Sequence, residues 1–161
     1  LHKEYRRQRQ MCIRDRIDIV LPILHGTHGE DGTIQGYFDT LEVPYAGGGV
    51  LDSALCMDKH FMKITLRAAG LSVAPGITVR SREWERDAAS VRASAVDLGM
   101  PLFVKPARAG SSVGVSKVER PDELDAALAI AFAEDDKVLI ESGVVGREIE
   151  VAVLELSLIH I

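Results

Sequence analysis

Hydrophobic positions mark out a succession of short strands and amphipathic helices from residue 17 onward. Residues 17–24, IDIVLPIL, are an apolar run of strand length containing β-branched residues, which predicts a buried parallel strand. A glycine-rich turn follows at 25–32, and Thr33 opens a helix with Ile34, Phe38 and Leu41 at i, i+4 and i+7. Strand, glycine-rich turn and helix in that order form an α/β unit, whose ligands sit at the carboxyl end of the strand. Residues 43–45 make a strand of minimal length. Residues 46–50, with three consecutive glycines, read as a hinge or a close backbone approach. One helix is predicted over 51–69, with Leu55, Phe61 or Met62, and Leu66 as its apolar stripe and Gly70 at the C′ position.

The second half repeats the alternation. Residues 73–79 are extended around Pro75, and a helix over 87–98 puts Ala88, Val91, Ala95 and Leu98 on one face before Gly99 stops it. Residues 102–117 hold a short apolar run ending in Lys105, then Pro106, a small-residue loop, Gly114 and a second β-like run. Pro121 suits the first position of a helix with Asp122 and Glu123 in its first turn, and Leu124, Leu128, Ala131 and Phe132 as its buried side. A strand over 137–140 runs into Glu141, and a turn at 143–146 leads to a further strand at 148–155. No internal repeat or low-complexity segment interrupts this order.

Composition narrows the function classes. The chain has 161 residues, 47% of them hydrophobic and 27% charged, which is a globular balance. A net charge of −5 leaves no basic face for a nucleic-acid duplex. The exception is the basic arm at 1–16, which shows no helix or strand period and no apolar stretch of signal-peptide type. No apolar run is long enough for a membrane-spanning helix. Cys12 and Cys56 lie far apart with no pairing pattern, as expected of reduced thiols in a cytoplasmic protein.

The chemistry centres on 102–117, LFVKPARAGSSVGVSK. A strand that delivers a lysine beside a loop of free N–H groups and hydroxyls suits a polyanion, and nucleotide phosphate is the usual one. The spacing is not that of the Walker A loop, in which the lysine follows the glycines. Here Lys105 precedes them.

Four stretches, HGTHGEDGTIQG (25–36), SALCMDK (53–59), VKPARAGSSVGVSK (104–117) and VLIESGVVGREIEV (138–151), together resemble the D-alanine–D-alanine ligase family of ATP-grasp enzymes in order, spacing and wording. The resemblance covers about 17–154, and the first and third stretches carry most of its specificity. It implies a mixed α/β (α+β) fold. Residues 17–48 would end an amino-terminal α/β substrate domain, 49–145 would form a central ATP-grasp domain, and 146–156 would open a carboxyl-terminal one. Residues 1–16 and 157–161 fall outside the pattern and read as extraneous.

The resemblance also implies roles for particular residues. Lys59 and Lys105 would contact phosphate. A lone lysine at a helix or strand end is ordinarily just solvated, but Lys105 stands directly before a Gly/Ser loop. Ser111 and Ser112 would offer hydroxyls and N–H groups to phosphate and substrate, where an isolated serine pair is merely a turn. Glu141 and Val144 match the positions that hold adenine, and Glu148 the one that holds ribose. Against this, Glu148 and Glu150 also fit simple alternation on a half-exposed strand. Ser142 departs from the pattern, because many members carry lysine there. His25, ending the first strand, would orient D-alanine or handle a proton. Glu30 and Asp31 suit the start of a helix and would support the site structurally, and His28 receives no role.

The activity implied is ATP-dependent joining of two D-alanines through a D-alanyl phosphate, for peptidoglycan precursor, in a cytoplasmic homodimer that binds neither nucleic acid nor membrane. Magnesium ligands, an oxyanion arginine and a closing loop are expected beyond residue 161, which makes this an internal fragment without activity of its own. A D-alanine–D-lactate ligase, another ATP-grasp ligase or a non-catalytic nucleotide-binding module are the alternatives.

Overall fold

The computed structural model describes residues 17–149. Strands β1 (Gly76–Arg80), β2 (Leu102–Pro106), β3 (Ser116–Val118) and β4 (Lys137–Ser142) form one four-stranded sheet in the order β1-β4-β2-β3, antiparallel throughout. The helices are α1 (Thr33–Leu41), α2 (Val50–Met57), α3 (Lys59–Ala68), α4 (Ser81–Arg86), α5 (Ala88–Val96) and α6 (Leu124–Glu134). A 3-10 turn, Pro121–Glu123, leads into α6 where the sequence places a proline-started helix. The described residues are thus a mixed α/β fold, as the pattern predicts.

The two faces of the sheet differ because side chains alternate along each strand. On one face Val79, Leu102, Val104, Val118, Val138 and Ile140 pack against Val91 and Ala95 of α5 and Leu124, Ala127, Leu128 and Ala131 of α6. All twelve are buried and none is polar, so this layer is the hydrophobic core. The opposite face carries Lys105, Thr78, Lys137 and Glu141 and is covered by α3. One face holds the domain together, and the other is left for chemistry.

Several expectations change. Residues 17–24 do not form a buried parallel strand: their pairing is an isolated parallel bridge, Val20 to Tyr45, with Val20 N–H donating to Pro44 O at 2.8 Å. Leu21 is 71% exposed and Ile23 79% exposed. A parallel strand is buried by partners on its edges and cover on both faces, and among the described residues only the 43–46 segment pairs with it.

The helix expected over 51–69 is two helices broken at Asp58. That residue is extended (φ −88°, ψ 100°), and its carboxylate accepts from the N–H groups of His60 at 3.1 Å and Phe61 at 3.4 Å. A buried aspartate can satisfy a new helix start better than it can continue an old one. Helix α4 was not expected. It is one short polar turn whose Trp84 tucks against the core.

Gly70 takes the left-handed conformation expected of C′ (φ 79°). The segment 143–149 has no regular structure, and the rest of the expected 148–155 strand lies outside the described residues, as do the arm and the tail. No helix among the described residues is long and apolar enough to cross a membrane.

Candidate functional site

Alternation along β4 puts Lys137, Leu139 and Glu141 on the face under α3. Ladder register then brings the neighbours in: Lys105 stands opposite Leu139, Phe103 and Gly76 opposite Glu141, and Thr78 opposite Leu139 from the other side. Helix α3 is pinned above them by a 2.8 Å hydrogen bond between His60 Nδ1 and Thr78 Oγ1 and by the buried ion pair of Asp58 with Lys137.

At the centre is Glu141, 4% exposed. Its Oε1 pairs with the Lys63 ammonium and its Oε2 with that of Lys105. Lys63 also donates to the Ala74 carbonyl at 3.1 Å. Lys59, the first residue of α3, reaches the loop after β2. Its N–H donates to Ala107 O at 3.0 Å and its ammonium to Ala109 O and, at 3.4 Å, to Ala107 O. Burial, then repulsion from Lys105, lowers the Lys59 pKa, against the opposing pull of Asp135, Glu141 and Asp58. Asp58 is occupied by Lys137, and Asp135 by Arg108. That leaves Lys59, Lys63 and Lys105 around one carboxylate, a local excess of positive charge suited to a polyanion.

The loop beyond β2 is built to hold a shape. Arg108 clasps Asp135 through its backbone N–H at 2.8 Å and its guanidinium at 3.1 and 2.5 Å. Gly114 is left-handed (φ 70°), and a Cβ there would lie 2.7 Å from Pro106 Cγ and 2.9 Å from Glu134 Cγ. Ser111 and Ser112 are exposed and also left-handed (φ 48° and 59°), a conformation that costs a non-glycine residue about 1–2 kcal/mol. Strain of this kind gathers at ligand clamps and switch loops.

The turn at 25–32 is laced by its own acids. Glu30 accepts from Gly26 N–H at 2.6 Å, and Asp31 accepts from His28 N–H at 2.9 Å and Thr33 N–H at 3.0 Å, which ties the turn to the start of α1. This turn and the loop after β2 border a single cleft of about 800 Å3, lined by Thr27, Asp31 and Thr33 on one side and Arg108 and Asp135 on the other.

The structure therefore brings Lys59, Lys105 and Glu141 together and leaves the other sequence-predicted residues outside that cluster. The His25 side chain is 89% exposed, with Nδ1 3.9 Å from Glu30 Oε1. Ser111 and Ser112 sit on the loop beside the cluster, and Val144 and Glu148 are exposed on the segment after β4. The Glu141 side chain is turned inward to lysines, so any contact it makes outside the cluster must come from its backbone. Ser142 uses its hydroxyl to donate to Leu98 O at 2.9 Å. Sequence reasoning missed Lys63, although it lies four residues after Lys59 on the same face of α3, and that spacing was the available signal. Among the described residues, no group of three or more His, Cys, Asp or Glu is arranged to hold a metal ion.

Comparison with known proteins gives a consistent result. The family model described as "D-ala D-ala ligase N-terminus" matches residues 2–48, and "D-ala D-ala ligase C-terminus" matches 65–160. Both reach into the stretches, 1–16 and 157–161, that the sequence pattern sets apart. The D-alanine–D-alanine ligase of Paenarthrobacter aurescens is 56% identical over 139 residues, covering 86% of this chain and 37% of that protein. That of Kocuria rhizophila is 54% identical over 138 residues, covering 86% and 36%. Among solved structures, the VanG D-Ala:D-Ser ligase from Enterococcus faecalis superposes with a TM-score of 0.73 at 43% identity, covering 80% of this chain and 37% of that one. The D-alanine–D-alanine ligase from Coxiella burnetii superposes with a TM-score of 0.75 at 37% identity, covering 81% and 38%. The chain thus spans little more than a third of the length of these relatives.

Proposed function

This chain belongs to the D-alanine–D-alanine ligase family, and from that premise we propose that its lysine cluster holds the phosphates of ATP for the ligation of two D-alanines. The supporting observation is that Lys105 from β2 pairs with the buried Glu141 while Lys59 of α3, bonded to the loop after β2, lies close enough to feel the charge of both. Phosphoryl transfer asks little of a protein beyond positioning and the neutralisation of developing charge. Two ammonium groups beside a strained Ser/Gly loop supply both.

In this reading Lys59 and Lys105 contact the phosphates, and Ser111 and Ser112 offer hydroxyls and N–H groups from the covering loop. Backbone groups at Glu141 and Val144 meet adenine, and Glu148 meets the ribose hydroxyls. His25 orients a D-alanine. The carboxylate oxygen of the first D-alanine attacks the γ-phosphorus and ADP leaves. The amino nitrogen of the second then attacks the acyl carbon of D-alanyl phosphate, inorganic phosphate leaves, and the nitrogen gives up its proton. The described residues offer no magnesium site of their own, so that ion would be carried by the phosphates and by groups elsewhere. Residues 49–145 would be the central ATP-grasp domain, with 17–48 ending the domain before it and 146–156 opening the next. A cytoplasmic homodimer making peptidoglycan precursor, with no nucleic-acid or membrane partner, completes the proposal.

A second acceptor other than D-alanine is the alternative reading, since a D-Ala:D-Ser ligase is 43% identical. Identifying the dipeptide or depsipeptide product separates the two.

The test is calorimetric titration of ATP into the 161-residue chain and its Lys105→Ala variant, with circular dichroism confirming that both fold. Binding that the substitution abolishes is the expected result. A folded chain whose ATP affinity is indifferent to Lys105 overturns the assignment.

A further inference from the structure

We propose that Lys63 is a positioning residue for the nucleotide phosphates: it neutralises Glu141, so that Lys105 is held in place by that carboxylate yet keeps its charge for the ligand. The inference rests on the reading of Lys105 given above and extends it to a residue that does not itself meet the nucleotide.

The geometry divides the two lysines by task. Both pair with Glu141, but through different oxygens, Lys63 with Oε1 and Lys105 with Oε2. The Lys63 side chain is the more deeply enclosed, at 14% exposed against 25% for Lys105, and its remaining hydrogen bond goes to the Ala74 carbonyl behind the sheet edge. Lys63 is thus the more enclosed partner of the carboxylate, and Lys105 the more exposed one.

Charge counting then decides what Lys63 does. Lys105 and Glu141 alone would be a closed, neutral pair in a poorly solvated site, where such pairs are strong and a phosphate would have to compete with the carboxylate for the ammonium. With Lys63 added, the three groups sum to +1, and Lys59 at the edge of the cluster raises the local total to +2. A carboxylate already shared with Lys63 anchors the Lys105 stem without cancelling the charge at its tip. Burying a carboxylate beneath a phosphate site is otherwise unfavourable, since it would repel the ligand, and Lys63 removes that repulsion.

The test uses the whole chain and four variants, Lys63→Met, Lys63→Arg, Glu141→Gln and Lys63→Met/Glu141→Gln, each titrated with ATP and with adenosine. Lys63→Met is expected to weaken ATP binding by roughly tenfold or more, as loss of a nearby unit charge should, while adenosine binding stays within about twofold because it carries no phosphate. Lys63→Arg is expected to retain ATP binding. The double variant is expected to recover most of the loss, since removing the Glu141 charge frees Lys105 again. A purely structural role for Lys63 predicts no such recovery. ATP binding unchanged in Lys63→Met, or a double variant no tighter than the single, overturns the inference. Should the methionine variant not fold, Lys63→Gln, which keeps a hydrogen-bond donor toward Glu141 and loses the charge, replaces it with the same expected outcomes. A Lys105→Met control separates the levels: if it too leaves ATP binding intact, the phosphate reading itself is wrong, whereas a sensitive Lys105 beside an indifferent Lys63 rejects the positioning role alone.

Discussion

Gly76 stands opposite Glu141 in the β1–β4 ladder, and the Glu141 stem fills the space its missing side chain leaves. A Cβ on Gly76 would lie 2.9 Å from Glu141 Cγ and 2.7 Å from the Ile140 carbonyl oxygen, closer than real side chains come. Gly76→Ala is therefore expected to push the carboxylate off its lysines. The cost should be about 1–3 kcal/mol in urea unfolding, as for other overpacked sites, with weaker ATP binding alongside. A variant as stable as the parent would show that β1 yields more easily than this packing allows.

The Asp58–Lys137 pair joins the start of α3 to the sheet, and both residues are buried, at 7% and 3% exposed. Lys137 also lies 4.7 Å from the centre of the Phe61 ring. Removing one partner leaves the other charge without compensation, so Lys137→Met should cost about 3–5 kcal/mol. The bidentate pair of Arg92 with Asp125 has good geometry, at 2.8 and 2.7 Å, but lies in solvent. Arg92→Met should cost no more than about 1 kcal/mol. Denaturant midpoints of the two variants, measured side by side, check the ordering.

Acid should reveal the hold of Arg108 on Asp135. Burial alone would raise the Asp135 pKa, but hydrogen bonds from the Arg108 side chain and from the N–H groups of Lys137 and Arg108 outweigh it and lower the value. A carboxylate with a depressed folded pKa stabilises the fold above its unfolded pKa of about 4 and loses that contribution as pH falls through the lower folded value. Asp135→Asn is thus expected to be less stable than the parent at neutral pH, with the gap closing below about pH 4. A gap that stays constant across the acid range would rule out titration of Asp135 as its source.

Gly114→Ala combines two faults, a left-handed backbone and a collision with Pro106 and Glu134. A loss of about 1–3 kcal/mol is expected. ATP binding should weaken too, because the loop carrying Ser111 and Ser112 ends at this glycine. Thermal unfolding and calorimetry on the same preparation check both.

Much of this molecule is legible in one dimension. Short apolar runs mark β2 and β4, the i, i+4, i+7 pattern marks α1, and Gly70 and Pro121 mark helix ends, because local sterics and caps act over a few residues wherever the chain lies. The wording of 25–36 and 104–117 likewise carries the family without any fold in view.

Three matters were settled only in three dimensions. Residues 17–24 have the composition of a buried strand, yet burial belongs to the partners a strand finds and not to the strand. The 51–69 pattern runs unbroken through Asp58, because apolar periodicity takes no account of a carboxylate whose buried partner, Lys137, lies on a distant strand. The side chain of Glu141, a residue the sequence marks only as a candidate adenine contact, is the hub of an ion cluster. That role follows from the antiparallel register, which sets Glu141 beside β2 and beneath α3. Periodicity determined which side chains share a face, and only the pairing of the strands decided which charges meet there.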